Sequence, residues 1–454
     1  MRLIAYAAVT LLSIGCRTAA PARFDTLLSD LHARGLFDGA VVVSDDRGVV
    51  FAKGYGSANI ERNVPFTPDT PGDGASLAKT FTAALLLSME RDGLLRLDDC
   101  AQKYLPELPY PGITLRHLLS HSSGIPVLDY DYFDPFLGKD EIRTTEVLLR
   151  VLAIQKPRLV SPPGTEFEYS SFGYDLAALA AVRVGGKSYY DLLNERFFRP
   201  LGMTSAFVRP GRFSEFPGVR TLGYKNRKLN DVFDLEAFHG GSNIYISARD
   251  LDRWNRWFLR SPLALSLQYA RVGGAPSALT LGSWYRTDDG NAFWYSGHLQ
   301  GFHSEVFRDI SRRWSIVYIS SNTIEPWLQK GLTRALVDVL SGRSPHLVPP
   351  AVDEIRKEDR PSLAGQWSAI TIENFRGHLA VNRYGVRYRI VQIAPDAFYV
   401  PGLDYILGFK RDEIYLSTNV VEEWGTRAAA RLRGHGRAAH SLITAARDVS
   451  NRSR

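Results

Sequence analysis

Cysteine is scarce in this chain, which has two cysteines, Cys16 and Cys100, among 454 residues. An apolar stretch at residues 3–14 is too short to span a bilayer and is typical of a signal-peptide core. Two cleavage sites fit the sequence: residues 12–16 resemble a bacterial lipobox that would lipidate Cys16, and residues 20–22 suit ordinary signal peptidase. Either cleavage leaves Cys100 without a second thiol, which excludes an internal disulfide. We expect an exported, periplasmic protein with Cys16 as the candidate lipid anchor.

Acidic residues are nearly absent from the end of the chain. Residues 426–454 contain seven arginines and one aspartate, which supply +6 of the formal net charge of +7. The rest of the chain is therefore close to neutral and gives no sign of the basic face that nucleic-acid binding needs, so we expect no nucleic-acid partner. The arginine, alanine and serine content of this tail predicts a disordered or weakly helical segment.

Ser76 and Lys79 stand three residues apart, after a glycine-rich turn at residues 72–74 and ahead of an apolar stretch at residues 80–87. On a helix this spacing puts both side chains on one face, where they can touch. The helix is apolar nearly all round, which predicts burial. Burial and the positive end of the helix dipole both favour the neutral amine of lysine. A neutral Lys79 can take the proton from Ser76 as the serine attacks a carbonyl carbon.

About one S-x-x-K match is expected by chance in a chain of this length, so the pair alone is weak evidence for a catalytic site. Further motifs along the chain strengthen the catalytic interpretation. They lie, in order, at residues 37–43, 53–56, 67–70, 76–83, 93–99, 103–106, 113–124, 163–164, 167–171, 173–174, 200–203, 241–245 and 250–251. Their types and order resemble the serine β-lactamase and penicillin-binding-protein superfamily, and within it the branch of class C β-lactamases, DD-peptidases and esterases. The resemblance covers roughly residues 35–342.

The second motif of this superfamily corresponds to Tyr169, Ser170 and Ser171, where family members carry Tyr-x-Asn on a loop that faces the nucleophile. The resemblance implies that Tyr169 is the general base or proton shuttle, since a nearby cation lowers the pKa of a phenol. Ser171 replaces the asparagine. Its hydroxyl can accept a hydrogen bond from an ammonium group, but it is shorter than an amide and lacks the paired donor and acceptor. We expect Ser171 to contact the lysine and the substrate.

The third motif is irregular. Residues 301–304, Gly-Phe-His-Ser, fix its register and place Tyr295 and Ser296 where the family has Lys-Thr or His-x on an edge strand. A cation there would bind the carboxylate of a β-lactam or of a peptide C-terminus, whereas a phenol donates one hydrogen bond and supplies no charge. Charged hydrogen bonds are about twice as strong as neutral ones. The sequence therefore disfavours carboxylate-bearing substrates, with Tyr295 and Ser296 as substrate-binding residues.

Gly297 completes this motif as a further substrate-binding position, because glycine lets the strand approach the ligand closely. By analogy with the family, the backbone N–H of His298 forms the oxyanion hole together with that of Ser76. His298 and His303 could suggest a site in which a histidine is the general base for the serine. The architecture of this family does not need a histidine base. We expect His303 to contact neighbouring structure instead.

His117 and His121 lie four residues apart in a helix-like segment, a spacing that metal ligands also use. No glutamate accompanies them in the H-E-x-x-H pattern of zinc enzymes. The family resemblance implies structural roles for both histidines. We expect neither a metal nor an organic cofactor.

Periodicity predicts a β-hairpin around residues 45–48, helices at 76–91, 172–184 and 326–340, and strands at 293–295, 305–308 and 314–320. The resemblance implies an α/β (α+β) fold, with a β-lactamase/DD-peptidase-like antiparallel sheet flanked by helices and an all-helical lobe. Short alternating segments between residues 365 and 409 predict a small C-terminal β-domain of the kind often appended to this family. We divide the chain into a signal segment at 1–22, a hydrolase domain at 23–344, a linker at 345–361, a lipocalin-like β-domain at 362–425 and the basic tail at 426–454.

These motifs predict a serine hydrolase that forms an acyl-enzyme on an ester, an amide or a D-amino-acid peptide bond, with weak or absent β-lactamase activity. The alternative is a penicillin-acylated sensor or binding protein with little turnover. Ser76 and Lys79 favour the enzyme, and the altered second and third motifs favour the sensor. The expected partner is a small-molecule or peptide substrate, and the oligomeric state is not determined by the sequence.

Overall fold

The structure is a computed structural model that describes residues 20–126, 128, 132–261, 281–287, 290–324, 326–345 and 347, and the strands of a C-terminal region up to residue 433. The chain divides into two compact units, of which the first holds the described residues up to 324 together with 333–345. The second holds residues 326–332 and the described residues from 347 onward. No helix in the described part of the chain is both long and apolar enough to cross a bilayer. Cys16 lies outside the described residues, so its lipidation stays a prediction.

The helices are α1 at residues 20–33, α2 at Ala78–Arg91, α3 at Leu115–Leu119, α4 at Thr145–Gln155, α5 at Ser171–Gly185, α6 at Tyr189–Leu193, α7 at Ala248–Trp257 and α8 at Pro326–Leu340. Short 3₁₀ turns lie at Ala75–Leu77, Ala101–Lys103, Asp134–Phe136 and Phe213–Glu215, and a π-helical turn lies at Asn194–Phe198. The central strands are β1 at Gly39–Asp45, β2 at Gly48–Tyr55, β3 at Tyr285–Arg286, β4 at Ala292–Leu299, β5 at Phe302–Asp309 and β6 at Trp314–Ser320. Short strands at Ser57–Asn59, Val64–Pro65, Gly72–Asp73, Arg143–Thr144, Phe207–Val208, Tyr224–Lys225, Lys228–Leu229, Glu236–Ala237 and Ile244–Ile246 pair in smaller sheets.

The central sheet is antiparallel, with the strand order β3-β4-β5-β6-β1-β2. Strands from the two ends of the first unit therefore meet in its middle, where β1 pairs with β6 from Gly39 opposite Ser320 onward. The predicted hairpin is confirmed as β1 and β2, and Gly48 begins β2 with a φ of 138° that favours glycine. Each strand predicted at residues 293–320 is confirmed as well.

Helices cover both faces of this sheet. On one face, Asn255 of α7 donates to the carbonyl of Phe307 at 2.7 Å and to Ser315 Oγ at 2.9 Å. On the other face, Phe24 of α1 packs against Phe51 of β2 with ring centroids 5.3 Å apart. The predicted antiparallel sheet with flanking helices is thereby confirmed.

Helices α2 to α6 form the predicted helical lobe. Helix α2 is buried on nearly every side, as its apolar sequence predicts, and Thr82 on it hydrogen-bonds Tyr189 of α6 at 2.7 Å. Helix α5 lies close to α3, since a Cβ on Gly173 would come within 2.8 Å of the Leu118 carbonyl oxygen. The predicted end of α5 is also confirmed, because Gly186 caps it in the left-handed conformation.

The C-terminal unit is built of short antiparallel strands. They lie at Gly365–Trp367, Ile370–Phe375, His378–Arg383, Val386–Arg389, Val391–Ala394, Ala397–Val400, Tyr405–Lys410, Glu413–Thr418 and Ala429–Arg433. The alternating pattern thus predicts a small β-domain correctly. The strands pair as separate sheets of four and five, however, and within the described residues they do not close into the expected lipocalin-like barrel.

The basic tail also differs from its prediction in one segment. Ala429–Arg433, expected to be disordered or weakly helical, is the edge strand of the five-stranded sheet and pairs with Glu413–Thr418. Composition does not predict this strand, because backbone hydrogen bonds to a neighbouring strand can form without an apolar side-chain pattern. Residues 434–454 and most of the predicted linker at 345–361 lie outside the described residues.

Candidate active site

Ser76 lies in the 3₁₀ turn between the short strand Gly72–Asp73 and helix α2. The preceding residue, Ala75, has a left-handed backbone with a φ of 48°, and its N–H donates to Asp73 Oδ1 at 2.8 Å. Asp73 is fully buried. Burial raises its pKa to about 6, although the Arg209 guanidinium and the Ala75 N–H oppose the rise. A buried carboxyl group therefore holds the turn that presents the serine.

The ammonium group of Lys79 donates three hydrogen bonds. Its Nζ lies 3.2 Å from Ser76 Oγ, 3.1 Å from Ser171 Oγ and 2.8 Å from the carbonyl oxygen of Gly241, and its side chain is fully buried. An ammonium has three N–H donors, and each of them finds an acceptor here. These three acceptors offset the cost of burying a charged ammonium group, so the site can hold the charged form as well as the neutral amine expected from the sequence.

Tyr169 is the second side chain that contacts Ser76, after Lys79. Its hydroxyl donates to Ser76 Oγ at 2.9 Å, and Lys79 Nζ lies 4.9 Å from the centre of its ring. Burial alone would raise the pKa of Tyr169, but the charge of Lys79 and hydrogen bonds with Lys79, Ser76 and Tyr295 lower it below the usual tyrosine range. A phenol in this setting loses its proton more readily than one in water.

The Gly241 carbonyl is a part of the site that sequence reasoning missed. The N–H of Gly241 donates to Asp175 Oδ1 at 2.7 Å, so that a fully buried carboxyl group of α5 fixes the residue whose carbonyl accepts from Lys79. A Cβ on Gly241 would lie 2.8 Å from Ser171 Cβ, which makes glycine necessary there. The glycine pair at residues 240–241 is the feature of the sequence that could have indicated this part of the site, because Gly240 has a φ of 127°, a conformation that favours glycine.

Strand β4 brings Tyr295 and Gly297 to the serine turn. The Tyr295 hydroxyl lies 3.0 Å from that of Tyr169, and burial and the neighbouring Tyr169 raise the pKa of Tyr295 well above its ordinary value. A Cβ on Gly297 would lie 2.2 Å from the carbonyl oxygen of Gly74, and Ser304 Oγ donates to that same oxygen at 2.8 Å. The strand therefore packs directly against the residues before Ser76.

The remaining predicted residues of β4 occupy different positions. Ser296 stands on the face of the strand opposite to Tyr295, and within the described contacts its side chain has no hydrogen bond to Ser76 or Lys79. His298 follows Gly297 with an exposed side chain and pairs with His303 on β5. Within the described part of the chain, the backbone N–H of Ser76 has no backbone acceptor.

The other histidines have partners in neighbouring structure. His303 is buried and its Nε2 lies 3.2 Å from the Tyr318 hydroxyl. His117 caps helix α3 together with Thr114. His121 is buried, and its ring stacks on Tyr169 with centroids 4.5 Å apart, a contact that the sequence did not predict. Among the described residues, no group of histidine, cysteine and acidic side chains forms a metal cluster.

Comparison with known proteins places this geometry in a family. The family described as Beta-lactamase matches residues 24–340. Protein flp of Staphylococcus aureus (strain COL) is 28% identical over 337 residues, which are 70% of this chain and 66% of that protein. The chain thus spans just under two thirds of the length of that relative. Penicillin-binding protein 4* of Bacillus subtilis (strain 168) is 24% identical over 360 residues, which are 73% of this chain and 78% of that protein.

Solved structures show the same fold. The crystal structure of SurE has a TM-score of 0.65 and 20% identity, and the match covers 93% of this chain and 100% of that one. A structure of SurE with D-Leu gives a TM-score of 0.63 and 21% identity over the same shares. The matched family spans most of the first unit and includes each residue that contacts Ser76. The chain therefore belongs to the Beta-lactamase family, within the serine β-lactamase and penicillin-binding-protein superfamily of serine hydrolases.

Proposed function

We propose that this chain is a hydrolase that forms an acyl-enzyme on Ser76 and acts on an ester, an amide or a D-amino-acid peptide bond, with weak or absent β-lactamase activity. One observation carries this proposal: Ser76 Oγ is in hydrogen-bond contact with both Lys79, at 3.2 Å, and Tyr169, at 2.9 Å. A serine is a weak nucleophile until a neighbouring group takes its proton, and two such groups converge on this one.

Tyr169 is the general base in this proposal, and Lys79 is its electrostatic partner. The Lys79 ammonium stabilises the phenolate of Tyr169, which takes the proton of Ser76 as Oγ bonds to the carbonyl carbon. Tyr169 then gives that proton to the leaving group as the scissile bond breaks. A water molecule, deprotonated by the same phenolate, releases the acyl group and restores Ser76.

The oxyanion of each tetrahedral intermediate needs two donors close to Ser76. The N–H of Ser76 is one candidate, since its neighbours Ala75 and Leu77 use their N–H groups within the turn. The N–H of His298 is the other, on the strand that Gly297 holds against Gly74. This pair of N–H groups remains a prediction from the family.

Tyr295 determines the proposed substrate preference. Its hydroxyl contacts Tyr169 at 3.0 Å and its side chain is buried, so that this position supplies no positive charge to a substrate. Carboxylate-bearing β-lactams lose a charged hydrogen bond at such a site. The structure of SurE with D-Leu, which has the same fold, supports a D-amino-acid residue as one class of acyl group.

The alternative is a sensor that is acylated by penicillin and does not turn over. The replacement of an amide by Ser171 and of a cation by Tyr295 favours it, because both changes remove groups that family members use to contact the substrate. A fluorophosphonate probe and a fluorescent penicillin, each followed over time, distinguish the two functions. The hydrolase predicts rapid ester turnover and Ser76-dependent labelling, whereas penicillin label that persists for hours without ester turnover would establish the sensor.

A further inference from the structure

Tyr169, the general base proposed above, lies in a segment without regular secondary structure. Residues 167–170 form neither a helix nor a strand, and α5 begins only at Ser171. A general base acts only while its oxygen stays within hydrogen-bond reach of the proton that it takes. The contacts that hold this segment therefore decide whether Tyr169 can act on Ser76.

Each residue of the segment contacts His121. The N–H of Glu168 donates to the His121 carbonyl oxygen at 2.7 Å, and the N–H of Ser170 donates to His121 Nδ1 at 3.1 Å. Between these two hydrogen bonds, the rings of Tyr169 and His121 stack with centroids 4.5 Å apart and planes 27° apart. The Phe167 ring lies edge-to-face with His121 at 5.5 Å. One residue thus contacts the base and both of its neighbours in the chain.

His121 is buried and has an unusual backbone conformation. Its side chain is 2% exposed, and burial, together with the charge of Lys79, lowers its pKa well below the ordinary value, which keeps the ring neutral. Its φ of 56° lies in the left-handed region. Residues other than glycine are uncommon there and persist where surrounding contacts over-determine them. The hydrogen bonds of the carbonyl oxygen and of Nδ1 to a single segment are contacts of this kind.

The far side of the imidazole ring is fixed as well. Because Nδ1 accepts from Ser170, the single proton of the neutral ring is on Nε2, which donates to Ser283 Oγ at 2.8 Å. The Ser283 hydroxyl donates to the Tyr174 hydroxyl oxygen at 3.3 Å, and Tyr174 donates to the Leu119 carbonyl oxygen at 2.6 Å. Each donor therefore has its acceptor, and a rotation of the His121 ring would break hydrogen bonds at both of its nitrogens.

We propose that His121 is a positioning residue of the hydrolase, whose carbonyl oxygen, Nδ1 and ring face hold residues 167–170 so that the Tyr169 hydroxyl stays in contact with Ser76 Oγ. This inference rests on the proposed function, in which Tyr169 is the general base. His121 itself transfers no proton, since both ring nitrogens are engaged in hydrogen bonds outside the reacting groups.

His121→Gly tests this role, because it removes the ring and the Nδ1 hydrogen bond while glycine adopts the left-handed conformation freely. A displacement of about 1 Å in a catalytic geometry costs on the order of a hundredfold in rate. We expect kcat for a p-nitrophenyl ester to fall by about this factor. KM should change little, since the lost contact acts on the position of the base rather than on substrate binding.

His121→Asn is the conservative variant. Asparagine tolerates the left-handed region, and its Oδ1 is as many bonds from the backbone as Nδ1 of histidine, so it can accept from the Ser170 N–H. We expect this variant to be about fivefold faster than His121→Gly, which corresponds to one neutral hydrogen bond. His117→Ala is the matched control. It also removes an imidazole whose Nδ1 accepts a backbone N–H, that of Thr114 at 3.3 Å, and we expect it to keep the wild-type kcat.

A double-variant cycle with Tyr169→Phe, which keeps the stacked ring and removes the base, separates positioning from a general structural effect. We predict that His121→Gly has almost no further effect on the residual rate in that background. An unchanged kcat in folded His121→Gly, or an equal loss in both backgrounds, would overturn the inference while leaving the wild type active. If His121→Gly does not fold, His121→Asn replaces it in the cycle with the same criteria. A wild type without ester turnover or fluorophosphonate labelling would overturn the proposed function and this inference with it.

Discussion

At the scale of single residues, Lys79 and Tyr169 act on Ser76 as one unit. Both contact its Oγ, and the charge of Lys79 counteracts the burial of Tyr169. We predict that Lys79→Ala and Tyr169→Phe each lower kcat by about 10²–10⁴-fold, and that the double variant is scarcely slower than either single variant. Steady-state kinetics on a p-nitrophenyl ester measure this. Losses that multiply in the double variant would show that the two residues act independently.

Tyr295 allows a prediction of specificity at the same scale. Tyr295→Lys and Tyr295→His introduce a cation beside Tyr169, and a new charged hydrogen bond is typically worth about 1.5–3 kcal/mol. We predict that the ratio of kcat/KM for nitrocefin to that for a neutral p-nitrophenyl ester rises about ten- to hundredfold in these variants. Rapid hydrolysis of nitrocefin by the wild type, or a ratio that does not move, would be evidence against the role assigned to this strand.

At the scale of elements, the close approach of β4 to the serine turn depends on one glycine. In Gly297→Ala the new Cβ would lie 2.2 Å from the Gly74 carbonyl oxygen and 2.6 Å from Ser304 Oγ, so the strand must move away from Ser76. A displacement of about 1 Å in a catalytic geometry costs on the order of a hundredfold in rate. We predict a loss of that size in kcat/KM, measured with the neutral ester.

Gly138→Ala is the matched control for this prediction. The nearest atom to a Cβ at Gly138 is Glu141 Oε2 at 3.5 Å, which is an ordinary contact. This variant is expected to keep wild-type activity and stability. Full activity in Gly297→Ala would mean that the β4 backbone does not contribute to the site.

Helices and strands could be predicted from the sequence where the pattern that specifies them lies within a few neighbouring residues. The turn at residues 45–48 and the apolar stretch after Lys79 predict the hairpin and α2, because turn chemistry and side-chain periodicity act within a few residues. Ser76, Lys79, Tyr169 and Tyr295 were predicted together through ordered family motifs. The His121–Ser283 contact was not, since it joins residues 162 positions apart and depends on a backbone conformation that no local pattern marks.

At the scale of the whole molecule, buried carboxyl groups link stability to pH. Burial raises the pKa of Asp175 to about 7, although the Gly241 N–H and the charge of Lys79 oppose the rise. From its ordinary value of 3.8 up to about 7, the folded protein keeps a proton that the unfolded chain releases. The free energy of unfolding therefore falls as pH rises through this window, by on the order of 2–4 kcal/mol for this group.

Asp175→Asn tests this linkage, because the amide oxygen can still accept from the Gly241 N–H and cannot ionise. We predict that denaturant unfolding of the variant varies less with pH between about 4 and 7 than that of the wild type. Asp73, with a pKa raised by burial to about 6, keeps part of the dependence in both proteins. An identical pH dependence in the two would indicate that Asp175 is ionised throughout this range.

The organisation of the whole chain was predictable in outline only. Alternating residues indicate the strands after residue 365, but contacts between elements decide which strands pair, and the described strands form two sheets where a barrel was expected. The same limit applies to the Gly241 carbonyl, which reaches Lys79 across 162 residues. Contacts between residues so far apart in the chain depend on the tertiary fold, and the sequence alone does not show which residues will meet.

The central claim is that Ser76 carries an acyl group during turnover. Rapid mixing with a p-nitrophenyl ester, acid quenching and mass spectrometry of the digested protein would measure it, with Ser76→Ala alongside. We predict one acyl adduct on the peptide that contains Ser76, formed and lost at rates that match the release of p-nitrophenol, and no adduct and no turnover in folded Ser76→Ala. An adduct on another residue, or turnover that persists in Ser76→Ala, would contradict it.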